Sequence, residues 1–313
     1  MKYLKSFLNH SEYTATTITD KPNTSYCKAE REVHFNPYII PIVTAKFNVT
    51  DESNPTPIMC YTAKTGSYFS KIEIDGVKYE TFDSAYTLSV GEHTVVYTLN
   101  NTKTIGTFAF SACTNMTSVV IGNGVEATSG MAFYGCSSLT SVTIPNSIKS
   151  MSYSEFCRCS SLPSVSIPNS VTNFNLCSDI FGKCTSLTSV TIPDNANGIP
   201  NGMVANCTSL SSFTIPNSVT KIQNYAFSGC SNLSSITIPN NVTTIAYQSF
   251  ANCSKLASIT SLPTTAPNVG ATSFQGIKSN GTLYVPQGSS GYDVWMGTGN
   301  YYLGKYNWTK VEQ

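Results

Sequence analysis

The chain has 313 residues, 41% of them hydrophobic but only 11% charged, with a formal net charge of +1 and a pI near 7.4. That apolar share suffices for a core, while the near-neutral balance excludes both a basic nucleic-acid field and an acidic tail. No run approaches the roughly 18–20 apolar residues of a membrane helix, so no membrane insertion is expected.

Residues 1–37 are polar and mixed and read as an N-terminal arm. The opening MKYLKSFLNHSEYTAT has no apolar central region and no small-residue cleavage site, so no signal peptide is visible in this chain. Residues 38–101 change character. YIIPIVTAKFNV, SYFSKIEI, GVKYETF and HTVVYTL read as short strands, and Asp75-Gly76 is a two-residue hairpin signal. This segment is expected to form a small N-terminal β-sandwich-like domain with a short, stiff junction to residue 102 and beyond.

Residues 102–262 are periodic. Cys113, Cys136, Cys159, Cys184, Cys207, Cys230 and Cys253 are separated by 23, 23, 25, 23, 23 and 23 residues. Three residues before each stands Phe110, Phe133, Phe156, Phe181, Val204, Phe227 or Phe250; three after stands Met116 or a leucine. The unit reads C-x-x-L-x-S-[VI]-x-I-P-[ND]-x-[VI]-x-x-I-x-x-x-x-F. Its L-x-x-V-x-I spacing is that of a leucine-rich-repeat solenoid of about seven coils, each too small to stand alone but sharing one core when stacked. The V-x-I step has the period of a strand, and the proline after it ends that strand. The return to phenylalanine predicts a turn plus a short helical segment. Two extra residues within VTNFNLCSDIFGKC (171–184) are expected to bulge from the outer turn, and PDNANGIPNGMV (193–204) to form the most loosely packed coil.

Residues 263–313 hold a degenerate coil at Phe274 and LYVP (283–286), then an aromatic tail. A solenoid end exposes a slice of core that a terminal unit must cover, so the tail reads as a C-terminal cap. The rival reading is an aromatic sugar platform of Trp295, Tyr301, Tyr302 and Trp308.

The unit SLTSVTIPNSVTKIxxxAFxxC, recurring over about residues 104–260, resembles the BspA-like (Treponema-type) leucine-rich repeat family of surface proteins of host-associated anaerobes. HSEYTATT and HFNPY near the start, and GTLYVPQGSSGYDVWMGTGNYY near the end, resemble flanks of such repeats in gut Bacteroidales-type proteins, some carried on phage or mobile elements. The resemblance implies an extracellular-surface or virion-associated location and an adhesive role without naming a ligand.

Groups able to carry chemistry are sparse. Each ladder cysteine sits between phenylalanine and leucine, where a thiol behaves as a small hydrophobe with a raised pKa. Cys27, Cys60, Cys157 and Cys177 lie off the ladder and are the candidates for exposed thiols. Cys157-Arg158-Cys159 lacks the second pair that zinc requires, so neither metal nor cofactor is expected. His10, His34 and His93 all precede the repeats, and the repeat acids Glu126, Glu155, Asp179 and Asp194 are scattered over different coils. No catalytic constellation is visible, and no enzymatic activity is expected.

What remains is the concave strand face. Ser141/Thr143, Ser164/Ser166, Ser189/Thr191, Ser212/Thr214 and Ser235/Thr237 flank the V-x-I core and point outward. Such a face suits a protein or glycan ligand, including one on a host surface. The alternatives are a structural or receptor-binding part of a phage particle, or a carbohydrate-binding module using the C-terminal aromatics. Thiol titration is expected to label few of the ladder cysteines in the native protein and all of them once it unfolds; fast native labelling of the ladder would contradict burial.

Overall fold

Alternating side chains build the first strands in a computed structural model that describes residues 40–60, 68–79, 82–100, 102–299 and 302–313. The expected arm, His10, Cys27, His34 and Tyr301 lie outside the described residues. The strands are β1 (Ile42–Val49), β2 (Thr56–Pro57), β3 (Phe69–Ile74), β4 (Val77–Tyr79), β5 (Ala85–Tyr86) and β6 (Gly91–Leu99). Val43, Ala45, Phe47 and Val49 of β1 are buried, as are Val95, Tyr97 and Leu99 of β6, the period of two that pleating imposes. Asp75 and Gly76 both take positive φ, 49° and 81°, which makes the β3–β4 connection a type I′ hairpin. A short β2–β5 ladder lies over this sheet, and the buried Tyr97 hydroxyl donates to the Ile58 carbonyl at 2.6 Å.

Further along the chain lie β7 (Thr104–Ile105), β8 (Met116–Ile121), β9 (Ala127–Thr128), β10 (Ser141–Thr143), β11 (Ser164–Ser166), β12 (Ser189–Thr191), β13 (Gly198–Ile199), β14 (Lys221–Ile222), β15 (Ser235–Ile238), β16 (Thr244–Ile245), β17 (Ser258–Ser261), β18 (Asn268–Val269), β19 (Thr282–Val285) and β20 (Thr309–Glu312). The longer ones stack as the front of a solenoid of about 9 turns, and the two-residue ones form its flank. The array is therefore longer than the seven cysteine-marked coils, because β19 and β20 continue the front strands through the degenerate coil and the aromatic tail.

The segment read as a separate N-terminal domain shares a sheet with the repeats. β1 pairs with β6 on one edge and with β8, the first repeat strand, on the other. The order is β10-β8-β1-β6-β3-β4, so the expected division near residue 101 falls inside one hydrogen-bonded sheet. The front is also interrupted. Thr140 N–H donates to the Thr117 carbonyl, but the equivalent residue one coil on is Pro163, which has no N–H, and β10 and β11 form no ladder.

The return of each regular coil is turn throughout. Two residues per coil are left-handed, one two positions before the core aromatic (Phe108, Met131, Ser154, Asp179, Tyr225, Gln248) and one just before the cysteine (Ala112, Arg158, Lys183, Asn206, Asn252). Such residues break a right-handed helix. The backbone bonds instead to the next coil: Phe110 N–H donates to the Ala132 carbonyl at 2.8 Å, Phe133 to Glu155 at 2.9 Å, and Phe227 to Ser249 at 2.8 Å. Among the described residues, helical segments are limited to Phe174–Leu176, Tyr292–Trp295 and Leu303–Tyr306. The first of these absorbs the two-residue insertion, burying Phe174 and turning Leu176 outward to 78% exposure.

An aromatic spine fills the core. Phe69 and Tyr97 meet Phe110, which stacks on Phe133 at 5.2 Å; Phe133 stacks on Phe156 at 5.1 Å and Phe156 on Phe181 at 5.8 Å. The spine resumes with Phe227, Phe250 and Phe274 and ends on Trp295. Each such pair contributes about 0.5–1.5 kcal/mol beyond the area it buries. Val204 occupies the missing ring position, yet the coil expected to be loose is well packed, with Ile199, Met203 and Val204 all fully buried. The volume comes from Phe213, which stands where other coils have Val or Ile and meets Phe227 edge-on at 4.9 Å. Val204→Phe should overpack and Phe213→Val should open a cavity, each destabilising by about 1–3 kcal/mol. The double variant should recover at least ~1 kcal/mol relative to their sum in urea unfolding, and strict additivity would refute a shared volume.

Candidate functional site

The front face is polar because its strands alternate. Val165, Phe213, Ile236 and Ile259 point into the core, while Ser141, Thr143, Ser164, Ser166, Ser189, Thr191, Ser212, Thr214, Ser235 and Thr237 are all exposed. Where ladders form, these hydroxyls are in register: Ser164 lies opposite Ser189, and Thr237 opposite Thr260. The rung Ser212–Thr214, which carries Phe213, is not in a ladder.

Hydrogen bonding separates these hydroxyls from a set of Ser and Thr on the turns. On the turns, Thr140, Thr188 and Thr220 donate to carbonyls of the preceding coil at 2.9–3.0 Å. Ser147 and Ser170 do the same at 2.6 Å. The side-chain hydroxyls of the ten front-face residues donate to no other described residue. Each therefore keeps a donor and two lone pairs for solvent or a ligand.

The same face runs on across β1 and β6. Ser118 lies opposite Lys46, which lies opposite Thr94, and Val120 opposite Thr44. Lys46 pairs with Glu92 at 2.7 Å and Lys71 with Glu73 at 3.0 Å. The first coils thus meet a charged border that the repeat pattern does not announce; the alternation of IVTAKFNV is its only signal in the sequence.

The C-terminal aromatics are placed differently. Trp295 and Trp308 are 1% and 5% exposed. Their indole N–H groups donate to the Pro267 carbonyl at 3.0 Å and the Lys278 carbonyl at 2.8 Å. Trp308 lies so close to Gly281 that a Cβ there would come within 2.3 Å of the indole. Both rings close the open end of the core and offer no stacking platform, and Tyr302 is half-buried. Ser261, the break in the isoleucine series, is fully buried and pairs with the Tyr292 hydroxyl at 2.8 Å.

Every described cysteine is a free thiol. The ladder thiols donate to the preceding coil, Cys136 to the Phe110 carbonyl at 3.1 Å and Cys184 to the Phe156 carbonyl at 3.0 Å. Burial pushes Cys136 and Cys253 up to about 12. Cys60 and Cys157 are half-buried. Cys177, expected among the exposed thiols, is only 3% exposed, because the turn that expels Leu176 directs the next side chain inward. Its thiol donates to the Met151 carbonyl at 3.4 Å.

His93 faces two acceptors, the Asp75 carboxylate at 2.7 Å and the Ser89 carbonyl at 2.8 Å. Those two bonds raise its pKa, and the arrangement secures the hairpin rather than activating a hydroxyl. Among the described residues, no group of three or more His, Cys, Asp or Glu side chains could hold a metal, and no helix is long and apolar enough to cross a membrane.

Stacked 23-residue coils with strand, turn and aromatic spine define a leucine-rich-repeat solenoid. Residues 92–178 and 174–281 match the BspA type leucine rich repeat region, in 6 copies, and the chain belongs to that family. It is similar to a leucine-rich repeat protein from Bacteroides ovatus, with 23% identity over 64% of this chain and 61% of that one, at a TM-score of 0.42. A leucine rich cell surface protein from Faecalibacterium prausnitzii is 27% identical over 57% of this chain and 59% of that one, at 0.45. A leucine-rich repeat protein from Eubacterium ventriosum is 20% identical over 66% and 51%, at 0.51, a likeness of fold. The chain thus spans between 51% and 61% of the length of these relatives. No curated protein matches it.

Among the described residues, one carboxyl group is fully buried. Glu155 accepts from the Thr128 hydroxyl and from the Ser152 N–H, while its Oε2 has no partner among the described residues. Burial pushes its pKa up to about 8, so at neutral pH the native state holds a proton that the unfolded state releases. Stability should therefore fall as pH rises from the ordinary carboxyl value of 4.5 to about 8, and level off above. Glu155→Gln should flatten that slope and exceed the native chain at pH 8.5 by an amount on the order of a few kcal/mol. Urea unfolding at pH 4.5 and 8.5 checks this, and an unchanged slope would contradict it.

Proposed function

We propose that this chain is a non-enzymatic adhesion or interaction protein that presents its Ser/Thr front face to a protein or glycan ligand on a host surface. The observation that carries this reading is the division of labour among hydroxyls. Thr140, Ser147, Ser170, Thr188 and Thr220 on the turns join coil to coil, and the hydroxyls on the front rungs have no bond to any other described residue. Membership of a repeat family with surface-protein relatives supports it. The virion reading has no observation of its own in its favour.

The chemistry limits what can bind. A hydrogen bond to a neutral hydroxyl nets about 0.5–1.5 kcal/mol, so useful affinity needs several rungs engaged together. The ligand must therefore run along the solenoid across coils spaced about 4.8 Å apart. In a mucin-binding and glycan-array assay, the variant Thr143→Lys/Thr191→Lys/Thr237→Lys should lose at least roughly tenfold in affinity while its melting temperature is nearly kept. A folded variant that still binds as the native chain does would sink this reading.

A further inference from the structure

The flank carries a ladder of its own. Three residues before the core aromatic, successive coils have Tyr153, Ser178, Asn201, Asn224 and Tyr247. The two tyrosines are 45% and 41% exposed, and four coil steps place them about 19 Å apart. Between them the wall drops to small polar side chains. There an open groove of about 560 Å³ runs into a second hollow of about 210 Å³, the two sharing Asn201, Lys221 and Gln223. The two-residue insertion shapes one lip, since Leu176 projects over the first hollow.

The charge of the lining is one-sided. Asn224 N–H donates to Asn201 Oδ1, and Tyr247 N–H to Asn224 Oδ1, both at 3.1 Å. Each asparagine thus has an amide oxygen engaged by the backbone and an NH₂ group that donates to no other described residue. Lys221 is the one charged residue lining either hollow, and it has no ion-pair partner among the described residues. Thr220 Oγ1 is already committed to the Asn197 carbonyl. The groove therefore offers amide N–H donors and an ammonium without a carboxylate. Next in the chain to the lining residues Asn224 and Ala246, Tyr225 and Tyr247 meet edge-on at 5.4 Å and are 42% and 41% exposed.

We propose that this flank groove binds a short acidic oligosaccharide, one bearing a uronic or sialic acid. Its carboxylate would be taken by Lys221 and the Asn201 and Asn224 amides, and its sugar face would lie toward Tyr247. Charge-assisted bonds from the donors match a carboxylate, and the broad polar groove suits sugar hydroxyls better than the apolar side chains of a peptide. The site is distinct from the front face and does not depend on it.

Isothermal titration of the full chain with tetragalacturonate and with 3′-sialyllactose, against lactose as the neutral control, tests this. At least one acidic sugar should bind, lactose should not, and Lys221→Gln and Asn224→Asp should each weaken binding by roughly tenfold or more. Asn224→Asp keeps the oxygen that accepts Tyr247 N–H while removing the donor, and an unchanged melting temperature would confirm its fold. The front-face triple lysine variant should bind the acidic sugar as the native chain does. Failure of both acidic sugars to bind, equal binding of lactose or of a poly-glutamate peptide, or native affinity in both groove variants would overturn the proposal.

Discussion

A single backbone bond, repeated from coil to coil, governs the architecture. The amide of each core aromatic is buried and so must find a partner, and it finds one in the carbonyl just before the next coil's aromatic. The cysteine thiol answers in the other direction, donating to the carbonyl of the preceding coil's aromatic. Clamped both ways, successive coils cannot slip in register. Extra length must be taken up outside the stacked register, which is why the insertion forms its own turn at Phe174–Leu176 and turns Leu176 out to solvent. The left-handed residues are the conformational cost of aiming these amides along the solenoid axis.

Much of this was legible in the sequence. The period, the inward Val and Ile, and the strand-ending prolines follow from spacing alone. Asp75-Gly76 announced its turn. Two things were not legible, because they depend on partners far along the chain. Nothing local says that β1 will add to the edge of β8, since edge pairing depends on which backbone groups are left open once the repeats have stacked. The tandem turns were hidden as well: Gly135, Asn206 and Gly229 hint at one left-handed position, but Phe108, Met131 and Tyr225 at the other are residues that would not suggest it.

The candidate sites divide along the same line. A front-face hydroxyl can be named from alternation, because strand geometry alone sends it outward. The flank groove arises where residues differ between coils, with tyrosine giving way to serine and asparagine, and it becomes visible only when those positions are stacked. The tryptophans show the converse: their composition suits a sugar platform, but the exposed end of the core claims them first.

The exchange of Val204 and Phe213 has a further consequence for how the array comes apart. In a stack of near-identical units, cooperativity is transmitted through nearest-neighbour interfaces, and the weakest interface sets where it divides. At this coil the face-to-face ring column is interrupted and the front rung lies outside any ladder, although the turn amides still cross. This coil is therefore held to its neighbours by turn amides and the flank ladder β13–β14 rather than by stacked rings and front strands, and local opening is expected to begin there.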